Sequence, residues 1–400
     1  MSSEHSAPAT PWASTARDLY LVAMVVFLVT IGIGIVNGAD AVEFDRNALL
    51  THVHSGTLGW LTLTIVASTF LLLRAADRRL MMTLAILVPV YVIAFFTGNL
   101  PFRAISGTAL LAAIVWLLYW AWSAYLSTDR TLPRLAVVLG LTSFGYGAVV
   151  GVLIQAGLAL EVVILPGDTV GAHASAMTFG YLVLCAMGLI EWRILGTRGL
   201  PVLGLVQVGA LFVGGLVISV SLLLGVEQAG GGLYLLTQLV AVVIFAVRIW
   251  PRALRSDWTG ADPARHFALA SVWTVAALIL FMYIVFTFIT AADPENALPF
   301  NVLIASDHAV YIGVITNIVV GLLSVLFLRG RAPSWVSHVI FWGINAGLAV
   351  FVIGLILDVA EVKRIGAPVM GATLLLALGL LGARMWGSSA DTAGLERPAT

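Results

Sequence analysis

Three histidines, His54, His173 and His308, each stand near the start of an apolar run that closes on an arginine. His54 precedes Arg74 by 20 residues, His173 precedes Arg193 by 20, and His308 precedes Arg329 by 21. At about 1.5 Å of helical rise per residue this is roughly 30 Å, the thickness of a bilayer's hydrocarbon layer. Each histidine then belongs near one membrane face and each arginine near the other. A single histidine at a helix end is ordinarily an interfacial residue bonded to a carbonyl or headgroup. Three at matching places point instead to ligation, because intramembrane ionisable groups mark functional sites and neutral imidazole is the commonest ligand of metals and haem iron.

The densest local signal is Thr51-His52-Val53-His54-Ser55-Gly56-Thr57-Leu58-Gly59-Trp60. Residues two apart on an α-helix differ by about 200°, so His52 and His54 cannot face one point from a regular helix. Either one lies in an unwound entry to the helix, or the two address sites on opposite flanks. Gly56 and Gly59 allow a planar group or a neighbouring helix to come close to this turn; plain helix packing explains them equally well.

The elements that position these residues follow from composition. The chain is 60% hydrophobic and 10% charged over 400 residues, with zero formal net charge, which places it among polytopic membrane proteins rather than soluble domains. No basic arm suggests nucleic acid. The one cysteine, Cys185, lies in an apolar run and excludes an internal disulfide. Apolar runs of helical membrane-spanning length predict an all-α fold of twelve spans: 18–38, 51–73, 80–98, 104–126, 133–157, 170–192, 200–224, 232–250, 266–290, 303–328, 335–358 and 366–386. Residues 1–17 and 387–400 form short tails, and the N-terminal stretch lacks the apolar core of a cleaved signal peptide.

Arg74, Arg78, Arg79, Arg130, Arg134, Arg193, Arg198, Arg248, Arg252, Arg255, Arg329 and Arg331 follow even-numbered spans. The positive-inside rule makes those loops and both termini cytoplasmic. The opposite loops carry Asp40, Glu43, Asp45, Glu161, Asp168, Glu227, Asp293 and Glu295; Arg46, Arg103, Lys363 and Arg364 are exceptions. His52, His54, His173 and His308 fall in the outer part of the bilayer on spans two, six and ten, so the repeating unit is four helices, giving three pseudo-repeated arcs.

With twelve spans, cytoplasmic termini, a four-helix repeat and histidines on spans two, six and ten, the chain resembles subunit I of the haem-copper oxidases, which include cytochrome c oxidases and nitric oxide reductases. The resemblance implies a b-type haem held by His54 or His52 together with His308, and places His173 where that family has its first copper ligand. It also implies a bacterial inner-membrane location and a cytochrome c or similar redox partner. Departures accompany it. Span seven holds no histidine, Ser306-Asp307-His308 replaces a His-x-His pair, and Met177 stands one turn after His173 where many oxidases have tyrosine. A complete binuclear centre is therefore not expected. Electron transfer, or nitric oxide or oxygen chemistry on haem, is the expected function. A looser similarity is to NnrS-type membrane proteins, which bind haem and copper and are linked to nitric oxide stress.

Two other classes compete: a permease in which the four histidines form a transient Cu or Zn site, and a structural partner of a respiratory complex. The chain shows neither the broken helix pair nor the inverted repeat usual in secondary transporters. Asn317 and Asn345 at mid-depth predict an interhelical hydrogen bond. Glu191 is the nearest thing to a relay acid and has Arg193 as an adjacent partner. Asp307, about 100° from His308, can support only another group. His266 and His338 open spans nine and eleven at the far face. Trp60, Trp116, Trp120, Trp122, Trp192, Trp250, Trp335, Trp342 and Trp386 suggest an aromatic belt.

Overall fold

The structure is a computed structural model that describes residues 10–197, 199–292, 298–328, 333–386, 388–396 and 398. Arg198, Asp293, Glu295, Arg329 and Arg331 lie outside the described residues. Among the described residues the fold is all-α, with twelve helices long and apolar enough to cross a membrane. They are α1 (Pro11–Gly38), α2 (Arg46–Leu73), α3 (Arg78–Thr97), α4 (Leu100–Leu126), α5 (Leu132–Leu160), α6 (Thr169–Leu195), α7 (Val202–Leu224), α8 (Glu227–Ala253), α9 (Ala264–Thr290), α10 (Phe300–Leu328), α11 (Ser334–Ile356) and α12 (Ala360–Met385).

Several helices start earlier than hydropathy alone suggests, because polar and proline residues begin them. Pro11, Pro101 and Pro133 occupy first-turn positions of α1, α4 and α5, where proline's missing N–H is not needed. Asp45, counted above as loop charge, accepts from the Ala48 amide at 2.7 Å and starts α2; Asp168 accepts from the Gly171 amide at 2.8 Å and starts α6. Arg74, ending α2, is left-handed at φ 52°.

Burial separates two classes of helix. In α2, α6 and α10 the most apolar window is 89%, 83% and 89% buried, against 33–56% in the other nine. A helix buried all round must be enclosed by others. The outer helices pack in the runs α11–α12–α1, α3–α4–α5 and α7–α8–α9 around these three. The three histidine-bearing helices are thus the bundle's core, and their histidines share one end, called here the histidine end; Arg74, Arg134, Arg193 and Arg248 occupy the other, the arginine end.

Some polar residues land as the sequence suggests and others do not. Asn317 and Asn345 exchange amide hydrogen bonds at 2.8 and 3.1 Å between α10 and α11; His266 joins them at 3.0 Å and the Trp273 indole at 3.1 Å. Cys185 is buried. Trp60 does not belong to a belt: it is 1% exposed, stacked on Phe27 at 4.5 Å, and its indole N–H donates to Thr316 Oγ1 at 2.9 Å, tying α2 to α10. Trp192 is buried too, whereas Trp335, Trp342 and Trp386 are exposed. Glu191 pairs across helices with Arg248 rather than with Arg193. Arg193 instead donates to the carbonyls of Gly394 and Leu395, in a C-terminal segment that folds back under the bundle.

Candidate functional site

Each core helix changes its winding just past the histidine position. Ser55–Thr62, Ala176–Leu182 and Ala309–Thr316 are π-helical, opening the turn by an extra residue. Such bulges are rare and concentrate at functional sites. They also supply a register. The residues just before them are His54, Ser175 and His308, and two residues earlier come His52, His173 and Ser306. Five residues after His54, Ser175 and His308 stand Gly59, Gly180 and Gly313. A Cβ at these glycines would strike Val26 of α1, Ser143 of α5 and Trp273 of α9 respectively, so each lets one outer helix approach closely.

The hydrogen bonds repeat in the same register. Four residues beyond Val26, Ser143 and Trp273 are the carbonyls of Thr30, Gly147 and Ala277. Thr30 accepts from His52 Nδ1 at 3.0 Å, Gly147 from His173 Nδ1 at 2.8 Å, and Ala277 from Ser306 Oγ at 3.1 Å. One turn further along the outer helix, Gly34 and Gly151 leave room for the ring: a Cβ there would lie 3.0 Å from His52 Cε1 and 2.7 Å from His173 Cε1. His54 and His308 instead bond back to the carbonyls of Leu50 and Ile304, four residues earlier, at 2.8 and 2.9 Å. Each also rests on a phenylalanine of the next helix. His54 stacks on Phe95 with ring centroids 3.6 Å apart, and His308 meets Phe351 edge-on at 5.0 Å.

His54, His173 and His308 therefore do not share one position. His52 and His173 occupy the first position and lean on the preceding outer helix; His54 and His308 occupy the second and lean on the following one. The sequence alternatives for His52 and His54 separate here, since both are helical and address opposite flanks.

A backbone carbonyl can only accept, so all four Nδ1 atoms carry the proton. In the neutral ring this leaves the lone pair on Nε2, the tautomer of an imidazole prepared for iron or another metal. The rings are partly accessible rather than sealed. His52 with His308, and His54 with His173, are near enough to interact electrostatically.

The chain matches no family model and no curated sequence.

Among the described residues no group of three or more His, Cys, Asp or Glu gathers to hold a metal by itself. Pairs of imidazoles are what the core offers. The imidazole nearest in electrostatic terms to His173 is that of His54.

Two features beyond the sequence reading border these rings. Arg103, an exception to the charge rule, turns inward at 4% exposure; its Nε donates to Ala94 O at 3.3 Å, and its Nη2 to Phe95 O and Asn47 Oδ1 at 2.8 Å each. Its guanidinium lies 4.7 Å over the Phe95 ring that stacks on His54. Tyr311 bonds Thr178 at 3.1 Å across the α6–α10 seam, beside Asp307. A cavity of about 130 Å³ between Trp12, Arg74, Arg134, Trp192 and Glu396 lies at the arginine end, far from the histidines. His266 and His338 lie at that end as well and stay apart from the four.

Proposed function

We propose that this chain is a haem-binding integral membrane protein in which His52 of α2 and His308 of α10 would hold a b-type haem. The observation that carries the reading is the shared carbonyl partner of Nδ1, which favours the Nδ1–H tautomer and leaves Nε2 free to ligate. The resemblance to haem-copper oxidase subunit I points the same way, since ligands from spans two and ten are what it implies. Bound there, the haem would supply one-electron chemistry, and two protein ligands favour electron transfer over binding of oxygen or nitric oxide.

The chain's own residues do three things toward this. Thr30 and Ile304 hold the rings in one tautomer and orientation. Gly34 gives the His52 ring its place against α1. Phe351 packs on the His308 ring. The positive-inside pattern supports a bacterial inner-membrane setting with the arginine end cytoplasmic, so that a cytochrome c or other donor would meet the histidine end.

The test is the reduced-minus-oxidised optical spectrum of detergent-purified protein. A b-type α-band in the wild type that weakens in both His52→Ala and His308→Ala is the expected result. Folded protein, expressed with ample haem, that shows no haem band refutes the reading and brings the Cu or Zn permease forward.

A further inference from the structure

The internal repeat has a consequence for the other two histidines. The second position of one core helix couples electrostatically to the first position of another: His54 of α2 to His173 of α6, and His308 of α10 to His52 of α2. The remaining combination in this register, Ser175 of α6 with Ser306 of α10, carries two hydroxyls and no imidazole.

We infer that His54 and His173 form a second bis-imidazole site, across the α2–α6 seam, that takes the same class of ligand as the first: a metal-centred planar macrocycle bearing carboxylates. This rests on the haem reading of the first pair and extends it. The two pairs are built alike. In each, one ring donates Nδ1–H to a preceding outer helix beside a glycine, as His52 does at Thr30 and Gly34 and His173 at Gly147 and Gly151. In each, the opposing ring donates to its own helix and packs on a phenylalanine, as His308 does on Phe351 and His54 on Phe95. The backbone contacts of the two pairs are alike, and each has a phenylalanine wall, stacked on the ring at His54 and edge-on at His308.

The charge arrangement fits the carboxylates. Arg103 turns into the bundle at the histidine end, held over Phe95 by bonds from Nε and Nη2, so Nη1 is left to meet an anion beside His54. The Ser175–Ser306 combination shows what losing the pair looks like. Ser306 keeps the outer-helix carbonyl contact but offers no ring nitrogen, and the Tyr311–Thr178 bond joins the helices there.

His52 and His54 are about 3 Å apart along the α2 axis at 1.5 Å per residue. The two ligands would therefore lie side by side at one depth, and an electron passing between them would move parallel to the membrane rather than across it.

The experiment is the haem-to-chain ratio of the full-length purified protein, by pyridine haemochrome against quantitative amino-acid analysis. Two haems per chain are expected, falling to one in His54→Ala and His173→Ala, with the remaining haem bound as in the wild type. His52→Ala and His308→Ala should also fall to one, and the His173→Ala/His308→Ala double variant to none. Should His173→Ala fail to fold, His173→Met keeps a ligand to iron and should keep two haems while changing the spectrum of one. A wild-type ratio of one, lost only with His52 or His308, overturns the second site and leaves the first standing; a ratio of zero in folded protein overturns both.

Discussion

The Glu191–Arg248 pair at the arginine end yields a measurable stability effect. Arg248 Nη2 reaches Glu191 Oε1 at 2.5 Å and Nη1 reaches Oε2 at 3.0 Å, while Nη1 also donates to Gln207 Oε1 at 2.9 Å. The two side chains are 11% and 5% exposed. Unit charges about 4 Å apart at an effective dielectric of about 20 attract by about 4 kcal/mol. Removing one member of such a pair costs about 3–5 kcal/mol, because the other charge stays buried alone. Gln207 continues to accept from Arg248 in the Glu191→Ala variant, which places the loss near the low end, at about 3 kcal/mol, or roughly a hundredfold in the unfolding constant. Replacing both residues, Glu191→Leu with Arg248→Met, removes the stranded charge and should return stability to within about 1 kcal/mol of the wild type. Reversible unfolding in mixed detergent–SDS micelles, run as a double-mutant cycle, measures both values. A loss under about 1 kcal/mol for Glu191→Ala, or a double variant weaker than the single one, would refute the reasoning.

Three more outcomes follow from local geometry. Gly34→Ala and Gly151→Ala press a methyl group on the His52 and His173 rings and on no other side chain, and equilibrium haem titration should show affinity at the affected site about 10- to 100-fold weaker, as when other supports of a ligand are removed; unchanged affinity in both would remove the cradle role. Trp60→Phe keeps the stack on Phe27 but loses the bond to Thr316, so the unfolding free energy should fall by about 1 kcal/mol. In the loop after α8, the Gly260 amide, with the Thr259 hydroxyl and amide, holds the Asp257 carboxyl below its ordinary range. A depressed value means that this support is fully present above the unfolded carboxylate's pKa and fades only below it. Protease nicking of the loop should stay flat from about pH 8 to about pH 5, and rise in Asp257→Ala; nicking that climbs already near pH 6 would contradict the assignment.

The parts that could be read from sequence share a physical basis. Twelve apolar runs announce twelve helices because a bilayer admits few alternatives for a satisfied backbone. The opposite flanks taken by His52 and His54 are legible because neighbouring positions on one helix are fixed by its period. What lies between helices was less legible. Hydropathy does not reveal which carbonyl faces His52, that Ser306 is the counterpart of His173, or that Glu191 reaches past Arg193 to Arg248. The π-helical turns are backbone events with no residue type of their own, although the glycines at 59, 180 and 313 are their trace. Arg103 looked like noise in the charge pattern because its role depends on Phe95, which arrives from another helix.

The C-terminal segment beneath the core also bears on how this molecule is made. Arg74 at the foot of α2 pairs with Glu396, Arg193 at the foot of α6 donates to Gly394 and Leu395, and the Leu326 carbonyl near the foot of α10 accepts from the Asp391 amide. One short stretch thus fastens all three core helices, and a chain synthesised from its N-terminus produces that stretch only after every span has emerged. The three core helices, joined higher up by Trp60 to Thr316 and Thr178 to Tyr311, therefore share a second tie at the arginine end, made by a segment that is translated after all of them.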